Sequence, residues 1–256
     1  MMFASVLRGF VAVALVLLSL SNVSARAGEV RVAVASNFAM PMQRIADLFQ
    51  RQSGHTVKTT VAASGKLYAK IVGGAQFDVL LSADEELPKR LVQDGLAAGG
   101  SRFVYATGRL VLWSAQPSLV DEKGKVLRNG NFNRLAIAHP SFAPYGKAAK
   151  EALEKLAMWN GMQRKLVKGE DVSKAYQLAA TENADLAFVG LSQIMHDGKV
   201  SEGSWWMVPT DLYRPIRQSA VLLSGAQDQQ AAQALLDFLK GDQAAAVMRS
   251  FGYALP

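Results

Sequence analysis

The chain has 256 residues, a net charge of +7 at pH 7 and no cysteine. This length is enough for one large domain or two smaller ones, and the absence of cysteine excludes a disulfide-stabilised scaffold. The basic residues are scattered and form no stripe with interleaved aromatic residues, so we expect no nucleic-acid binding.

The N-terminal stretch "MMFASVLRGFVAVALVLLSLSNVSARA" predicts a secretory signal peptide over residues 1–27. It has one early cation, Arg8, then an apolar run over residues 10–20, and it ends in the small-x-small sequence ARA. A membrane anchor is the alternative, but the apolar run is shorter than the roughly 20 residues that a spanning helix needs. We therefore expect cleavage before Gly28 and a soluble protein that is exported to the periplasm.

Strand and helix patterns alternate along the rest of the chain. Short runs rich in β-branched residues are followed by apolar residues at helical spacing, and several of these helical patterns end at glycine. The predicted strands are 30–36, 55–64, 77–84, 134–140, 164–169, 185–191, 205–209 and 218–225; the predicted helices are 42–49, 67–72, 87–92, 146–159, 171–183 and two within 231–248. This alternation predicts an α/β fold with mixed, mostly parallel sheets and helices on both faces.

Two extended stretches could carry the chain between two lobes. They are "FVYATGRLVLW" at 103–113 and "DLYRPIRQSAVLL" at 211–223, and each runs through a glycine or proline into an apolar run. Two crossovers predict lobe I over residues 28–106 plus 217–256, lobe II over 107–216, and a hinge with a cleft between the lobes. Composition alone is equally compatible with a single continuous domain.

The motifs of enzymes and of metal sites are missing from the sequence. His55, His139 and His196 lie far apart, no G-x-S-x-G elbow surrounds a serine, and no G-x-G-x-x-G follows the first strand. "VAASGKLYAK" suggests a P-loop, but Thr60 and Leu67 stand where that motif requires glycine and a hydroxyl. We therefore expect no enzymatic activity and no cofactor.

Small or polar residues recur where predicted strands end and helices begin. Helix N-termini carry unpaired N–H groups and a partial positive charge, and ligands of parallel sheets bind at the carboxyl ends of the strands. Ordinary helix capping explains each turn taken alone. Four such turns together indicate a small oxyanion held by neutral donors. The turns are Ser36-Asn37, Ser64-Gly65, Pro144-Tyr145-Gly146 and Asp171-Val172.

At these residues the sequence resembles the periplasmic molybdate-binding proteins, the solute receptors of ATP-binding-cassette importers for molybdate and tungstate. The resemblance covers essentially the whole mature chain and is carried by "VAVASNF", "VAASGKLYAKI", "GAQFDVLLSAD", "FVYATGRLVLWS", "PYGKAAKEALEKL" and "EDVSKA". It implies a two-lobed, type II-like periplasmic solute-binding fold with a hinge and an interlobe cleft. It also implies high-affinity binding and delivery to a membrane permease, and we expect a monomer.

The resemblance implies five ligand-binding residues. Ser36 and Asn37 are expected to donate from the first turn, and Ser64 is expected to donate through its hydroxyl and its backbone N–H. Tyr145 and Val172 are expected to contribute chiefly backbone N–H groups from the other lobe. The oxyanion would thus be held through its oxygens, with no protein ligand on the metal itself and no countercharge.

One position departs from the family pattern. Some family members direct a tyrosine hydroxyl to the ligand from the strand end where this chain has Gly190. Tyr145 stands where others have a small residue, and its hydroxyl could compensate.

Alternative functions remain open at this point. A receptor for sulfate, phosphate, a metal or an organic acid would share the fold and hinge. An inward-turned Glu170 or Asp171 would accept the proton that phosphate retains. A direct contact between Lys66 and the anion is a further alternative. A periplasmic enzyme is disfavoured, since no nucleophile, base or metal site is found.

Overall fold

The computed structural model describes residues 27–200 and 202–256. The predicted signal peptide, residues 1–27, lies outside these residues except for Ala27. Within the described ranges, no helix combines the length and the hydropathy that crossing a membrane requires.

The described residues form twelve strands and nine α-helices. The strands are β1 (Glu29–Ala35), β2 (Thr56–Ala62), β3 (Val79–Ser82), β4 (Phe103–Gly108), β5 (Leu110–Ser114), β6 (Leu135–Ala138), β7 (Leu166–Gly169), β8 (Leu186–Gly190), β9 (Met195–His196), β10 (Lys199–Val200), β11 (Ser204–Met207) and β12 (Ile216–Leu222). The α-helices are α1 (Ala39–Ser53), α2 (Ser64–Val72), α3 (Glu86–Gln93), α4 (Val126–Asn129), α5 (Pro144–Lys155), α6 (Trp159–Met162), α7 (Val172–Ala180), α8 (Gln229–Lys240) and α9 (Asp242–Ser250). Short 3-10 helices span Ser36–Phe38, Gly99–Ser101, Leu191–Gln193 and Thr210–Leu212.

Two five-stranded sheets form the two lobes, as predicted. The first sheet has the order β2-β1-β3-β12-β4 and the second has the order β11-β5-β8-β6-β7. In each sheet two neighbouring pairs are parallel and two are antiparallel. Half of the strand pairings are therefore parallel. The other half are antiparallel because the strands beside the crossovers, β4, β5 and β12, run antiparallel to their neighbours.

Burial of apolar residues explains why these segments form the sheets. The inner strand β1 buries Val30, Val32 and Val34, and β3 is buried along its whole length. Helix α1 packs on this sheet through Met42, Ile45 and Phe49, which recur at the three- and four-residue spacing of one helical face. Helices on both faces bury the inner strands β1 and β3, whose sequences are mostly apolar, whereas the edge strand β2 (TVKTTVA) stays partly exposed.

The chain passes between the sheets twice. Strand β4 ends at Gly108 and β5 begins at Leu110, while the return runs from the 3-10 helix at Thr210–Leu212 into β12 at Ile216. The lobe limits at residues 106/107 and 216/217 stay a prediction at the level of single residues. The core of the second lobe extends to Ala35, Ala63 and Ala83, at the ends of β1, β2 and β3, so the lobes are in contact.

Candidate functional site

A small cavity lies where the carboxyl ends of the first sheet face the helix starts of the second lobe. Its volume is about 10 Å³, far below the roughly 300–1,000 Å³ of pockets for drug-sized ligands. All five residues predicted to bind a ligand line this cavity. Its lining is Ala35, Ser36, Asn37, Ala63, Ser64, Ala83, Ala143, Pro144, Tyr145 and Val172.

The five predicted residues are enclosed by protein. None of them is more than 4% exposed, although four of the five have a polar side-chain group. Small side chains, above all Ala35, Ala63 and Ala83, allow the helix starts to approach one another closely. Hydrogen bonds from these buried residues to a ligand would form in an environment of lower dielectric constant than water.

Three helices begin at the cavity. Helix α2 begins at Ser64 and α7 begins at Val172, and Tyr145 is the second residue of α5, after Pro144. The N–H groups of a first helical turn have no partner inside the helix, and the partial positive charge of the helix lies at the same end. Both α2 and α5 begin before the apolar periodicity does, since small residues and an N-terminal proline are compatible with a first turn.

The hydroxyl of Ser64 is oriented by its neighbour. Its Oγ accepts a hydrogen bond from the backbone N–H of Ala83 at 2.9 Å. A serine hydroxyl has one proton to donate and two lone pairs. With one lone pair occupied, the proton of Ser64 remains available to an acceptor in the cavity, and the rotamer is fixed before any ligand arrives.

The side chain of Asn37 is engaged away from the cavity. Its Nδ2 donates to Gln218 Oε1 at 2.8 Å and to Tyr253 Oη at 2.9 Å, while the backbone carbonyl oxygen of Asn37 accepts from Ser192 Oγ at 2.9 Å. The contribution that Asn37 can make to a ligand is therefore its backbone N–H. The sequence did not indicate which of its groups would face the cavity.

Tyr145 has a divided role. Its backbone belongs to the cavity lining, whereas its hydroxyl accepts a hydrogen bond from Gln218 Nε2 at 3.3 Å. A Cβ atom at Gly190 would lie 2.9 Å from Tyr145 Cε1, so the tyrosine ring occupies the space that the glycine leaves. Positions 145 and 190, which both depart from the family pattern, are therefore neighbours in the structure.

The lining of the cavity is electrically neutral. Of the described residues that line it, none carries a charged side chain. Asp171 caps α7 by accepting from the N–H of Lys174 at 2.9 Å, and Glu170 pairs with Lys66 at 2.5 Å. The hydrogen bond from Lys66 and its charge lower the pKa of Glu170. In residues 27–200 and 202–256, no group of three His, Cys, Asp or Glu is placed to hold a metal ion.

The outer edge of the cavity is closed by contacts between the lobes, and we call Gly65, Lys66, Phe142 and Glu170 the rim. The N–H of Gly65 donates to the carbonyl oxygen of Phe142 at 2.9 Å, and Lys66 pairs with Glu170 across the cleft. A Cβ at Gly65 would lie 2.7 Å from Phe142 Cβ and 2.9 Å from its Cα. A glycine is therefore required for this approach, a role that the P-loop comparison did not reveal.

The family of bacterial extracellular solute-binding proteins matches residues 30–254. The chain belongs to this family. The molybdate-binding protein ModA of Azotobacter vinelandii is 49% identical over 232 residues, which are 91% of this chain and 92% of that protein. ModA of Rhodobacter capsulatus is 49% identical over 229 residues, covering 90% of this chain and 89% of the relative.

A solved structure supports the same relationship. The periplasmic molybdate-binding protein of Azotobacter vinelandii superimposes with a TM-score of 0.87 and 39% sequence identity, covering 89% of this chain and 99% of that chain. The predictions of a two-lobed solute-binding fold, a solute-binding rather than an enzymatic role, and a place outside the cytoplasm are confirmed.

Proposed function

We propose that this protein binds molybdate, and also tungstate, in the periplasm and delivers it to the permease of an ATP-binding-cassette importer. The observation that carries the proposal is the neutral cavity lined by the buried residues Ser36, Asn37, Ser64, Tyr145 and Val172. The two molybdate-binding relatives at 49% identity support the choice of ligand. The site is complete within one chain, which supports a monomer.

Neutral donors suit a buried dianion. Stripping water from a lysine or arginine would cost much of the attraction that its charge provides, whereas helix N–H groups and hydroxyls are already oriented by the fold. Each hydrogen bond to a charged group contributes about 1.5–3 kcal/mol. The donors available here, namely two serine hydroxyls and the N–H groups of the helix starts, thus outweigh the several kcal/mol lost on association.

The composition of the lining favours a fully deprotonated oxyanion. Phosphate retains a proton at neutral pH and needs an acceptor, and a mismatch of that O–H against N–H groups costs about 1–3 kcal/mol. Asp84 and Asp171, the carboxylates adjacent in sequence to lining residues, accept from the N–H groups of Leu87 and Lys174, and Glu170 pairs with Lys66. Phosphate should therefore bind poorly.

Sulfate is the closer competitor, since it has the same charge and shape as molybdate but is smaller. Donors that are fixed by helix starts cannot all reach a smaller ion, and the loss of one hydrogen bond corresponds to about a tenfold weaker affinity. We expect the order molybdate and tungstate, then sulfate, then phosphate.

The proposal is tested by calorimetric titration and thermal unfolding of the mature chain with these four anions. Saturating molybdate, at about 100 times its dissociation constant, should stabilise the fold by about 2.7 kcal/mol. Replacing Ser64 by Ala should weaken molybdate binding roughly ten- to hundredfold, because the oriented hydroxyl is lost, while circular dichroism of the unliganded protein remains that of the folded chain.

Ser224→Ala is the matched control, since Ser224 is exposed and its hydroxyl bonds only the carbonyl of Gly95 at 3.0 Å. That variant should bind molybdate as the parent does. Equal competition by sulfate or phosphate, or a melting curve that molybdate leaves in place, would contradict the proposal and point to a different ligand.

A further inference from the structure

A buried hydrogen-bonded cluster lies on the side of the cavity where the chain crosses between the lobes. We call it the hinge network. All of its members are at most 5% exposed, and they come from both lobes. They are Asn37, Tyr105, Tyr145, Ser192, Gln218 and Tyr253.

Gln218 is the centre of this network. It is fully buried on β12, the strand that returns the chain to the first lobe, and it lies beside an irregularity in the pairing with β4. Its Oε1 accepts from Asn37 Nδ2 at 2.8 Å and from Tyr105 Oη at 2.9 Å, and its Nε2 donates to Tyr145 Oη at 3.3 Å. One side chain thus joins two cavity-lining residues, one from each lobe.

The backbone is shaped around the Tyr145 side chain. A Cβ at Gly108, the last residue of β4, would lie 2.0 Å from Tyr145 Oη and 2.7 Å from Gln218 Nε2. A Cβ at Gly190, the last residue of β8, would lie 2.9 Å from Tyr145 Cε1. Two strand ends, one in each sheet, therefore accommodate the ring and its hydroxyl by having no side chain.

The hinge network carries no charge. Burial raises the pKa of Tyr145 and of Tyr105 well above the ordinary value and raises that of Tyr253 to about 12. The hydroxyls therefore stay protonated across the physiological range, and the remaining members are amides and a serine. Because these side chains are uncharged, they do not repel a dianion bound next to them.

We propose that Gln218 and the Tyr145 hydroxyl form a strut across the hinge that positions the N–H groups of Asn37 and Tyr145 toward the anion. In this arrangement the Tyr145 hydroxyl is a positioning group and does not bind the ligand. The inference rests on the proposed function of the cavity, since it assigns a task to a residue of that same site.

A double-mutant cycle tests the strut. Gln218→Met, Tyr145→Phe and the double variant are titrated with molybdate beside the parent protein, with Gln230→Met, an exposed position on α8, as the control for the substitution. Gln218→Met should weaken binding about tenfold and Tyr145→Phe about threefold. The double variant should be no more than about twofold weaker than Gln218→Met, because both substitutions remove the same interaction.

Additive losses, about thirtyfold in the double variant, would overturn the proposal, since the hydroxyl would then act without Gln218. The proposal would also be overturned if Tyr145→Phe lowered the affinity for molybdate more than Gln218→Met does. That result is expected if the hydroxyl contacts the anion. A parent protein that does not bind molybdate would refute the proposed function instead. In that case the free energies of unfolding of the same four proteins, measured with denaturant and without ligand, decide whether the strut exists. If the losses of the two single variants add up in the double variant, there is no strut.

Discussion

The two sides of the cavity are built from different chemistry. The hinge network is buried, neutral and joined by hydrogen bonds among side chains from both lobes. The rim consists of one backbone hydrogen bond, a close glycine contact and an ion pair between Lys66 and Glu170, whose side chains are 39% and 76% exposed. Both sides connect the lobes, but only one of them excludes water.

This difference indicates which contacts persist when a ligand enters and leaves. Exposed ion pairs contribute little free energy and are screened by salt, so the rim can separate at small cost. Breaking the hinge network would leave buried polar groups without partners, at about 1–3 kcal/mol each. We therefore expect the lobes to open at the rim and to remain joined at the hinge network.

The largest effect is expected at the rim, from Gly65→Ala. The added Cβ would overlap the Phe142 backbone when the lobes are closed, and packed backbone does not yield by the required distance. Calorimetry should show about a hundredfold weaker binding of molybdate, equivalent to about 2.7 kcal/mol. The melting temperature without ligand should stay level or rise, since alanine favours a helix more than glycine does.

Gly161→Ala is the matched control for this substitution. Gly161 lies in α6, and an added Cβ there meets no atom within 4 Å. If Gly65→Ala and Gly161→Ala bind molybdate with the same affinity, the close approach at Gly65 has no part in binding.

An intermediate effect is expected in the hinge network, from Tyr253→Phe. Its hydroxyl accepts from Asn37 Nδ2 and lies 2.9 Å from the Asn37 carbonyl oxygen, so its removal weakens the support of the first turn. Unfolding by denaturant should show a loss of about 1–2 kcal/mol. The loss should be the same at low and high salt, and a strong salt dependence would contradict the neutral character of the network.

The smallest effect is expected from Lys66→Ala. The ion pair with Glu170 crosses the cleft, so its loss should weaken molybdate binding about two- to fivefold at low salt. Near 1 M salt, where the screening length is about 3 Å, the difference from the parent should disappear.

Lys58→Ala is the matched control, because Lys58 pairs with Glu29 at 2.7 Å within the same lobe. Its loss should leave the affinity unchanged at any salt concentration. A loss at Lys66 larger than that of Ser64→Ala would instead indicate that the ammonium contacts the anion directly.

The sequence predicted the strands and helices well where the hydrophobic periodicity and the turn residues indicated the same boundaries. The strand at 77–84 and the helix within 87–92 were found because an apolar run and an amphipathic run are separated by a polar turn. It did not show which of the neighbouring residues Trp205 and Trp206 faces the core. On the edge strand β11 the two side chains point to opposite faces, and Trp205 is 37% exposed.

The candidate site was predictable in part for a similar reason. Ser36, Ser64, Tyr145 and Val172 all stand within the first turns after strand ends, which is a local property that the chain order reveals. That all of them line one cavity is not local, and it follows from how the two sheets face each other.

The sequence by itself determined most of the alternating strands and helices and the small or polar residues at four helix starts. These features depend on neighbours within a few residues, where backbone geometry decides the outcome. Only the tertiary structure decided that Asn37 turns its amide toward Gln218, that Tyr145 fills the space at Gly190, and that Gly65 meets Phe142. Those contacts join residues that are distant in the chain, and packing of the two lobes selects one partner among many that the sequence permits.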